Sequence, residues 1–327
     1  MERLRIGIVG LGKMGLLHAS ILNTFPNIQL VGLCEKSNLV IRIAKKIFKE
    51  PKVINDINDF SPLKPDAIFV TTPIPSHFTI CKNILESNIT NNLFVEKTLT
   101  AKYAESKQLY EIAENSGGTN MVGYMKRFNV VFQKAYELLA ANTLGKLEYF
   151  SAYAYSSDFA STQTVSGISA NRGGVLSDLG GHIVDLALWL FGDMNVENAN
   201  LKGSGSEDEV QFSIQTLNGV RGSFEVSWIK QGYRMPEFGL TIHGKNGELK
   251  VNNDKLELNA QNMPKQVWYR QNLNDAVPFL LGDPEYYSED RHFIGALTNK
   301  TPVLSSFQSA AKVDQILTNV KKTGAAL

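Results

Sequence analysis

The stretch Gly173-Gly174-Val175-Leu176-Ser177-Asp178-Leu179-Gly180-Gly181-His182-Ile183-Val184-Asp185, running on to Phe191, carries the residues best suited to proton chemistry. Outside its polar positions it is apolar almost all round, as a buried helix is. Asp178, His182 and Asp185 stand at i, i+4 and i+7, which puts all three on one helical face. Unpaired charge is costly to bury, so such a stripe must face a partner or a cavity. A histidine accepts a proton near neutral pH, and a neighbouring carboxylate can orient its ring. His182 therefore points to general-base catalysis, with a satisfied core histidine as the alternative. The other histidines of apolar or polar stretches, His18, His243 and His292, read as structural or solvated.

These side chains need a scaffold, and its clearest element is N-terminal. Leu4 to Gly15 read LRIGIVGLGKMG, a short apolar strand that enters a glycine-rich turn and then a helix. Gly10, Gly12 and Gly15 have the G-x-G-x-x-G spacing of a dinucleotide-binding βαβ unit. Gly10 allows the tight turn, Gly12 leaves the backbone open to a pyrophosphate, and Gly15 lets the helix approach the sheet. The helix N-terminus adds free N–H groups and a partial positive charge. Gly10, Leu11, Gly12, Lys13, Met14 and Gly15 form the expected cofactor cradle, against a purely structural turn. Glu35 ends the second strand, 20 residues after Gly15. An acid there accepts hydrogen bonds from ribose hydroxyls and repels a 2′-phosphate, which favours NAD. Lys36 and Ser37 could receive a phosphate and keep NADP open. Thr72, Pro73 and His77 follow the apolar run Ala67–Val70, at the strand end where open sheets bind ligands. Ser76 as an N-cap and His77 as a first-turn residue are the alternatives. Phe94-Val95-Glu96-Lys97 delivers two charges to the same sheet edge. Lys97 there can stay near a nicotinamide, hold a substrate hydroxyl and lower its pKa; the alternative is a surface ion pair worth about 0–1 kcal/mol.

A chain of 327 residues has room for two domains, each with its own core. With 43% hydrophobic and 20% charged residues it has the composition of an ordinary soluble protein. A net charge of +1 gives no reason to expect nucleic acid or an acidic membrane as partner. Cys34 and Cys81 sit in apolar segments without metal-ligand spacing, so no metal is expected and a reducing, cytoplasmic location is. The chain enters a strand at once, without a signal-peptide layout. The apolar run Ile183–Phe191 is broken by Asp185 and too short to span a bilayer.

Strand and helix signals alternate over residues 1–122. Strands are expected at Leu30–Cys34, Ala67–Thr71, Leu93–Val95 and Met121–Val122, and helices at Leu39–Phe48 and Ala101–Glu114. That alternation implies a doubly wound parallel sheet, an α/β Rossmann domain. Residues 123–327 read as an α+β domain on a largely antiparallel, open-faced sheet. Its segments are a helix at Val130–Ala141 and strands at Leu147–Tyr155, Val210–Leu217 and Val220–Trp228. Asn218-Gly219 signals a hairpin, and Lys245-Asn246-Gly247 turns Leu240–His243 into Leu249–Val251. One face of such a sheet takes helices, and the other is an oligomer surface, implying a homodimer or homotetramer. A terminal helix over 306–321 is expected to pack at the domain junction.

Taken in order, these segments resemble the glucose–fructose oxidoreductase, inositol dehydrogenase and MocA-like family. The resemblance covers essentially the whole chain. It rests on the glycine fingerprint, Thr71-Thr72-Pro73 with His77, Glu96-Lys97, Gly123-Tyr124-Met125-Lys126-Arg127-Phe128 and the Asp178…His182 helix. It implies two domains with the substrate at their junction, against the nicotinamide. It also implies Lys97, Asp178 and His182 as the catalytic set, with Arg127 and Arg172 lining the substrate or cofactor pocket. The reaction it implies is reversible oxidation of a secondary alcohol of a sugar, cyclitol or nucleotide sugar. His182 would take the hydroxyl proton, Lys97 would hold the oxygen, and Asp178 would orient or relay. Two rivals are a non-catalytic dinucleotide-binding sensor of the same fold and a glycosidase that oxidises transiently with bound cofactor. The family has proline after Glu-Lys, whereas Thr98 stands here. Proline would fix φ and remove a donor, so Lys97 is expected to be looser or differently supported.

Overall fold

In the computed structural model, which describes residues 3–159, 173–203, 206–275, 277–279 and 281–325, the short runs of the N-terminal part become six strands, most of them deeply buried. These are β1 (Leu4–Val9), β2 (Ile28–Cys34), β3 (Lys52–Ile54), β4 (Ala67–Val70), β5 (Leu93–Glu96) and β6 (Asn120–Gly123). Every residue of β4, β5 and β6 is buried, the pattern of inner parallel strands covered above and below. All pairings are parallel and the order is β3-β2-β1-β4-β5-β6. The crossovers are α1 (Lys13–Leu22), α2 (Asn38–Ile47), α3 (His77–Glu86) and α4 (Tyr103–Ser116). Because all six strands run the same way, their carboxyl ends share one edge. Val9, Val70, Val95 and Val122 lie in register across it, with Cys34 beside Val9. β3 is three residues long and carried no periodicity to find.

The second sheet has eight strands in the order β14-β13-β12-β11-β7-β10-β9-β8. They are β7 (Leu147–Tyr155), β8 (Met194–Lys202), β9 (Glu209–Thr216), β10 (Arg221–Ser227), β11 (Glu237–Gly244), β12 (Gly247–Asn252), β13 (Lys255–Ala260) and β14 (Gln266–Tyr269). Burial alternates along β9 and β10, one face in the core and one in water. The inner face receives α5 (Val130–Ala140) on β12 and β13 and α6 (Gly181–Phe191) on β7, where Phe150 stacks on Phe191 at 4.1 Å. Both expected hairpins form: β9 pairs with β10, with Gly219 at φ 82°, and β11 pairs with β12. One pairing in this sheet, β7 with β10, is parallel.

Contacts divide the chain into two units, the first holding residues to Tyr124 with Tyr286–Asp314, the second Met125–Glu285 with the chain from Gln315. The sequence boundary at 122/123 assigns 286–314 to the second domain; the structure returns them to the first. The reason is the open edge of β6. The Val122 N–H donates to the Ser305 carbonyl (2.8 Å), the Ser305 hydroxyl donates to the Val122 carbonyl (2.7 Å), and Met121 bridges to Ser306. Covering an edge strand in this way satisfies backbone groups that would otherwise stay exposed. The segment contains α7 (Glu285–Asn299) and the start of α8 (Phe307–Ala325), which runs four residues beyond the expected terminal helix.

Candidate active site

The glycine turn at the carboxyl end of β1 has the geometry its spacing demands. Gly10 has φ 92°, a left-handed conformation that side chains rarely adopt. A Cβ on Gly15 would stand 1.9 Å from the Gly10 carbonyl oxygen, so only glycine lets α1 approach so closely. A Cβ on Gly12 would meet nothing within 4 Å, so the space above this backbone is open. Gly12 is the N-cap of α1, has no side-chain cap and is followed by no acidic residue in the first turn. An open backbone and an uncapped helix N-terminus fit a pyrophosphate. Leu11, Lys13 and Met14 complete the turn. Glu35 closes the cradle: Oε2 accepts from the Leu11 N–H (2.8 Å), and Oε1 accepts from the N–H groups of Lys36 (2.8 Å) and Ser37 (2.9 Å). A carboxylate has about four acceptor positions, so one remains for a ribose hydroxyl. Ser37 caps α2 through the Val40 N–H. The residues present thus fit a dinucleotide, with Gly10–Gly15 for the phosphates and Glu35 for the ribose.

Two strands along the edge, β4 and β5 end in Thr71-Thr72 and Glu96-Lys97. The Thr71 hydroxyl donates to the Gly10 carbonyl (2.7 Å), and the Thr72 hydroxyl accepts from Ser76 (2.8 Å). Pro73 is exposed. His77 is fully buried, with Nε2 2.7 Å from the Thr72 carbonyl and Nδ1 3.0 Å from the Thr98 carbonyl. Burial lowers its pKa against the pull of those carbonyls. His77 thereby braces the Thr72 and Thr98 loops against each other. Lys97 is half-buried, and its N–H donates to Glu96 Oε2 (3.1 Å). The Lys97–Thr98 peptide is cis. The Thr98 hydroxyl donates to the Thr100 carbonyl (3.2 Å), and the Thr100 N–H donates to Asp314 (3.2 Å), which also accepts from Ser106 (2.5 Å). Thr98 is therefore differently supported, by hydrogen bonds from His77 and through Thr100 rather than by a proline ring.

In the second unit a π-helical turn, Leu176–Gly180, precedes α6. Such turns recur at functional sites. It carries Asp178, while His182 is the second residue of α6. The expected three-residue stripe divides. Asp178 and His182 are half-buried, whereas Asp185 is fully buried and takes the Arg127 guanidinium in a two-pronged ion pair, Nε to Oδ2 at 2.8 Å and Nη2 to Oδ1 at 2.6 Å. Burial pushes the Asp185 carboxyl above its ordinary range, against the pull of the Arg127 guanidinium. Arg127, itself buried 5.9 Å from the Trp189 ring, has two nitrogens committed to this pair. The His182 ring lies edge-on to Phe238 at 5.3 Å, and the Lys126 ammonium stands 5.5 Å from that same ring. Lys126 pairs with Glu285 (3.3 Å), whose carboxyl is pushed up by burial but held below the usual range by Lys126 and Arg270. Phe238 and the Lys126–Glu285 pair had no sequence signal: Phe238 lies in an alternating strand, and Glu285 is 159 residues from its partner. Arg172 lies outside the described residues.

The NAD-binding Rossmann domain of the GFO/IDH/MocA oxidoreductase family matches residues 4–124, and the GFO/IDH/MocA C-terminal domain matches residues 132–250. A scyllo-inositol 2-dehydrogenase (NAD(+)) of Bacillus subtilis is 24% identical over 243 residues, 69% of this chain and 68% of that protein. A D-apiose dehydrogenase of Paraburkholderia graminis is 21% identical over 316 residues, 91% of this chain and 82% of that protein. Among solved structures, levoglucosan dehydrogenase in complex with NADH and levoglucosan superposes with a TM-score of 0.88 at 20% identity, over 99% of this chain and 98% of that one. At that identity the likeness shows the shared fold.

Proposed function

Two matched domains span more than half of the chain, so it belongs to the GFO/IDH/MocA oxidoreductase family, and on that premise we propose an NAD-dependent dehydrogenase acting on a secondary alcohol of a sugar, cyclitol or nucleotide sugar. The observation that carries the reading is the shared sheet edge, where an open glycine cradle and the half-buried Lys97 stand two strands apart. The dehydrogenase names of the inositol and apiose relatives support the substrate class. NAD, when bound, takes up or returns the hydride. Gly10 to Gly15 hold its pyrophosphate, and Glu35 accepts from its ribose. Lys97 holds the alcohol oxygen through its ammonium group and favours the developing alkoxide. His182 takes the hydroxyl proton on an imidazole nitrogen, and Asp178 orients that ring or passes the proton on. Thr72, Pro73 and His77 shape the cofactor side, and Arg127 and Arg172 the substrate side.

The test is to supply purified protein with NAD or NADP and a panel of sugars, inositols and nucleotide sugars. Net build-up of reduced cofactor supports the dehydrogenase. Bond cleavage without net reduction would instead mean a glycosidase, and neither outcome a sensor. With the substrate found, His182→Ala should lower turnover by about 10²–10⁴-fold and leave cofactor binding nearly intact. Full activity of that variant would sink the role given to His182.

We also propose a homodimer or homotetramer through the outer face of the eight-stranded sheet. Ser151, Tyr153, Tyr155, Gln211 and Ser223 line a concavity on that face, and Tyr149 on the same face is exposed. A cytoplasmic location is supported by two unpaired, buried thiols; burial pushes that of Cys34 up to about 12. No helix among the described residues is long and apolar enough to cross a membrane.

A further inference from the structure

His18, on α1 three residues after Gly15, is fully buried among Phe69, Phe94 and Tyr286, with ring centroids 5.7, 5.1 and 6.1 Å away. In this apolar shell both of its nitrogens face carboxylates. Nδ1 stands 2.8 Å from Asp290 Oδ1, and Nε2 stands 3.0 Å from Glu96 Oε1. Asp290, on α7, is also fully buried. A carboxylate only accepts, so two such contacts are satisfied together when both ring nitrogens carry protons. Burial opposes that charge, but Asp290 and then Glu96 outweigh it and hold the His18 pKa well above the ordinary value. The second oxygen of Glu96, Oε2, receives the Lys97 N–H at 3.1 Å. A continuous chain thus runs from Asp290 through His18 and Glu96 to the backbone of Lys97.

We propose that His18 and Asp290 are positioning residues for Lys97: the imidazolium anchored by Asp290 fixes the Glu96 carboxylate, and that carboxylate fixes the Lys97 N–H at the end of β5. Three side-chain torsions separate the Glu96 backbone from the carboxylate plane that meets both partners, so losing one anchor lets the plane turn and frees the other. The same helix begins at the glycine cradle, so one rigid element carries both the phosphate-facing turn and the brace of the lysine. The proposal rests on the catalytic reading of Lys97 for its consequence, but not for its geometry.

The experiment uses the full chain with Asp290→Asn, which keeps the shape and an acceptor for Nδ1 while removing the charge, and with Glu96→Gln as the second variant. Hydrogen exchange of the Lys97 amide, resolved by NMR, should rise about 10-fold or more in both, with Leu93–Val95 amides unchanged. Equal acceleration along the whole of β5 would mean general loosening and overturn the proposal, as would unchanged Lys97 exchange. With the alcohol that turns over in the panel, kcat should fall about 10–100-fold while KM and the Kd for NAD stay within a few-fold. In the background of Lys97→Met, Asp290→Asn should cause no further loss, because both act through one group. If the two losses multiply, His18 and Asp290 act elsewhere and the proposal is wrong. If Lys97→Met alone is fully active, the catalytic reading of Lys97 fails, while the exchange result still decides the positioning claim.

Discussion

Asp314 offers the sharpest test of the energetics, because its burial costs stability in a pH-dependent way. It is fully buried on α8, and burial pushes its carboxyl from 3.8 to about 7 against the hydrogen bonds of Ser106 and Thr100. The folded value lies above the unfolded one, so the stability linked to the protonated form is complete below about 3.8, is lost as pH rises, and is gone beyond about 7. A gap of about three units at about 1.4 kcal/mol each makes the ionised group cost about 4 kcal/mol near pH 8 and about 2 kcal/mol near pH 5. Asp314→Asn keeps an acceptor for Ser106 and Thr100 and carries no charge, so it should regain those amounts. The three tryptophans, Trp189, Trp228 and Trp268, all lie in the second unit, whereas Cys34 and Cys81 lie in the first with Asp314. Urea unfolding is therefore followed by reaction of the buried thiols with an aryl disulfide that works in mild acid. The variant should be more stable at both pH values, with an advantage about 2 kcal/mol larger near pH 8. An equal advantage at both, or a variant less stable near pH 8, would refute the argument.

Three further outcomes follow from the geometry. Glu35→Ser removes the carboxylate held by Leu11, Lys36 and Ser37 and should shift the NAD-to-NADP ratio of kcat/KM toward NADP by about 10–100-fold; an unchanged ratio rules out the ribose role. Arg127→Met alone strands Asp185 and should cost about 3–5 kcal/mol in urea unfolding, most of it restored by adding Asp185→Leu. If that stable double variant also turns over normally, Arg127 serves packing and not substrate. Ser151→Arg with Ser223→Arg sets two charges side by side on the outer sheet face and should halve the mass seen by light scattering; an unchanged mass places the oligomer surface elsewhere.

Local signals were legible wherever one segment carried its own reason. The glycine turn, the Glu35 strand end and the Asn218-Gly219 hairpin depend on neighbours in sequence, and the structure places each as its residue types require. The α/β and antiparallel halves were legible for the same reason, because continuous apolar runs and alternating runs differ in period. β3, β8, β13 and β14 were not: β3 is only three residues long, and β8, MNVENANLK, is mostly polar. The stripe of Asp178, His182 and Asp185 was half legible. Spacing could place three polar groups on one helix, but only the fold reveals that Asp185 is spent on Arg127, 58 residues away.

His18 marks the limit of such reading, and it explains what the segment Tyr286–Asp314 does for the first unit. A buried histidine on α1 looks like a core residue until its partners are known, and one of them is 272 residues downstream. That segment supplies three polar anchors to the Rossmann sheet: Asp290 to His18, Ser305 to the edge of β6, and Asp314 to Thr100. Two of the three bear on the loop that presents Lys97, one through Glu96 before it and one through Thr100 after it. Residues 1–122 alone would leave His18 without Asp290 and the Thr100 N–H without its carboxylate. A dinucleotide cradle needs only the glycine turn and one helix. Holding a lysine beside it requires the chain to come back.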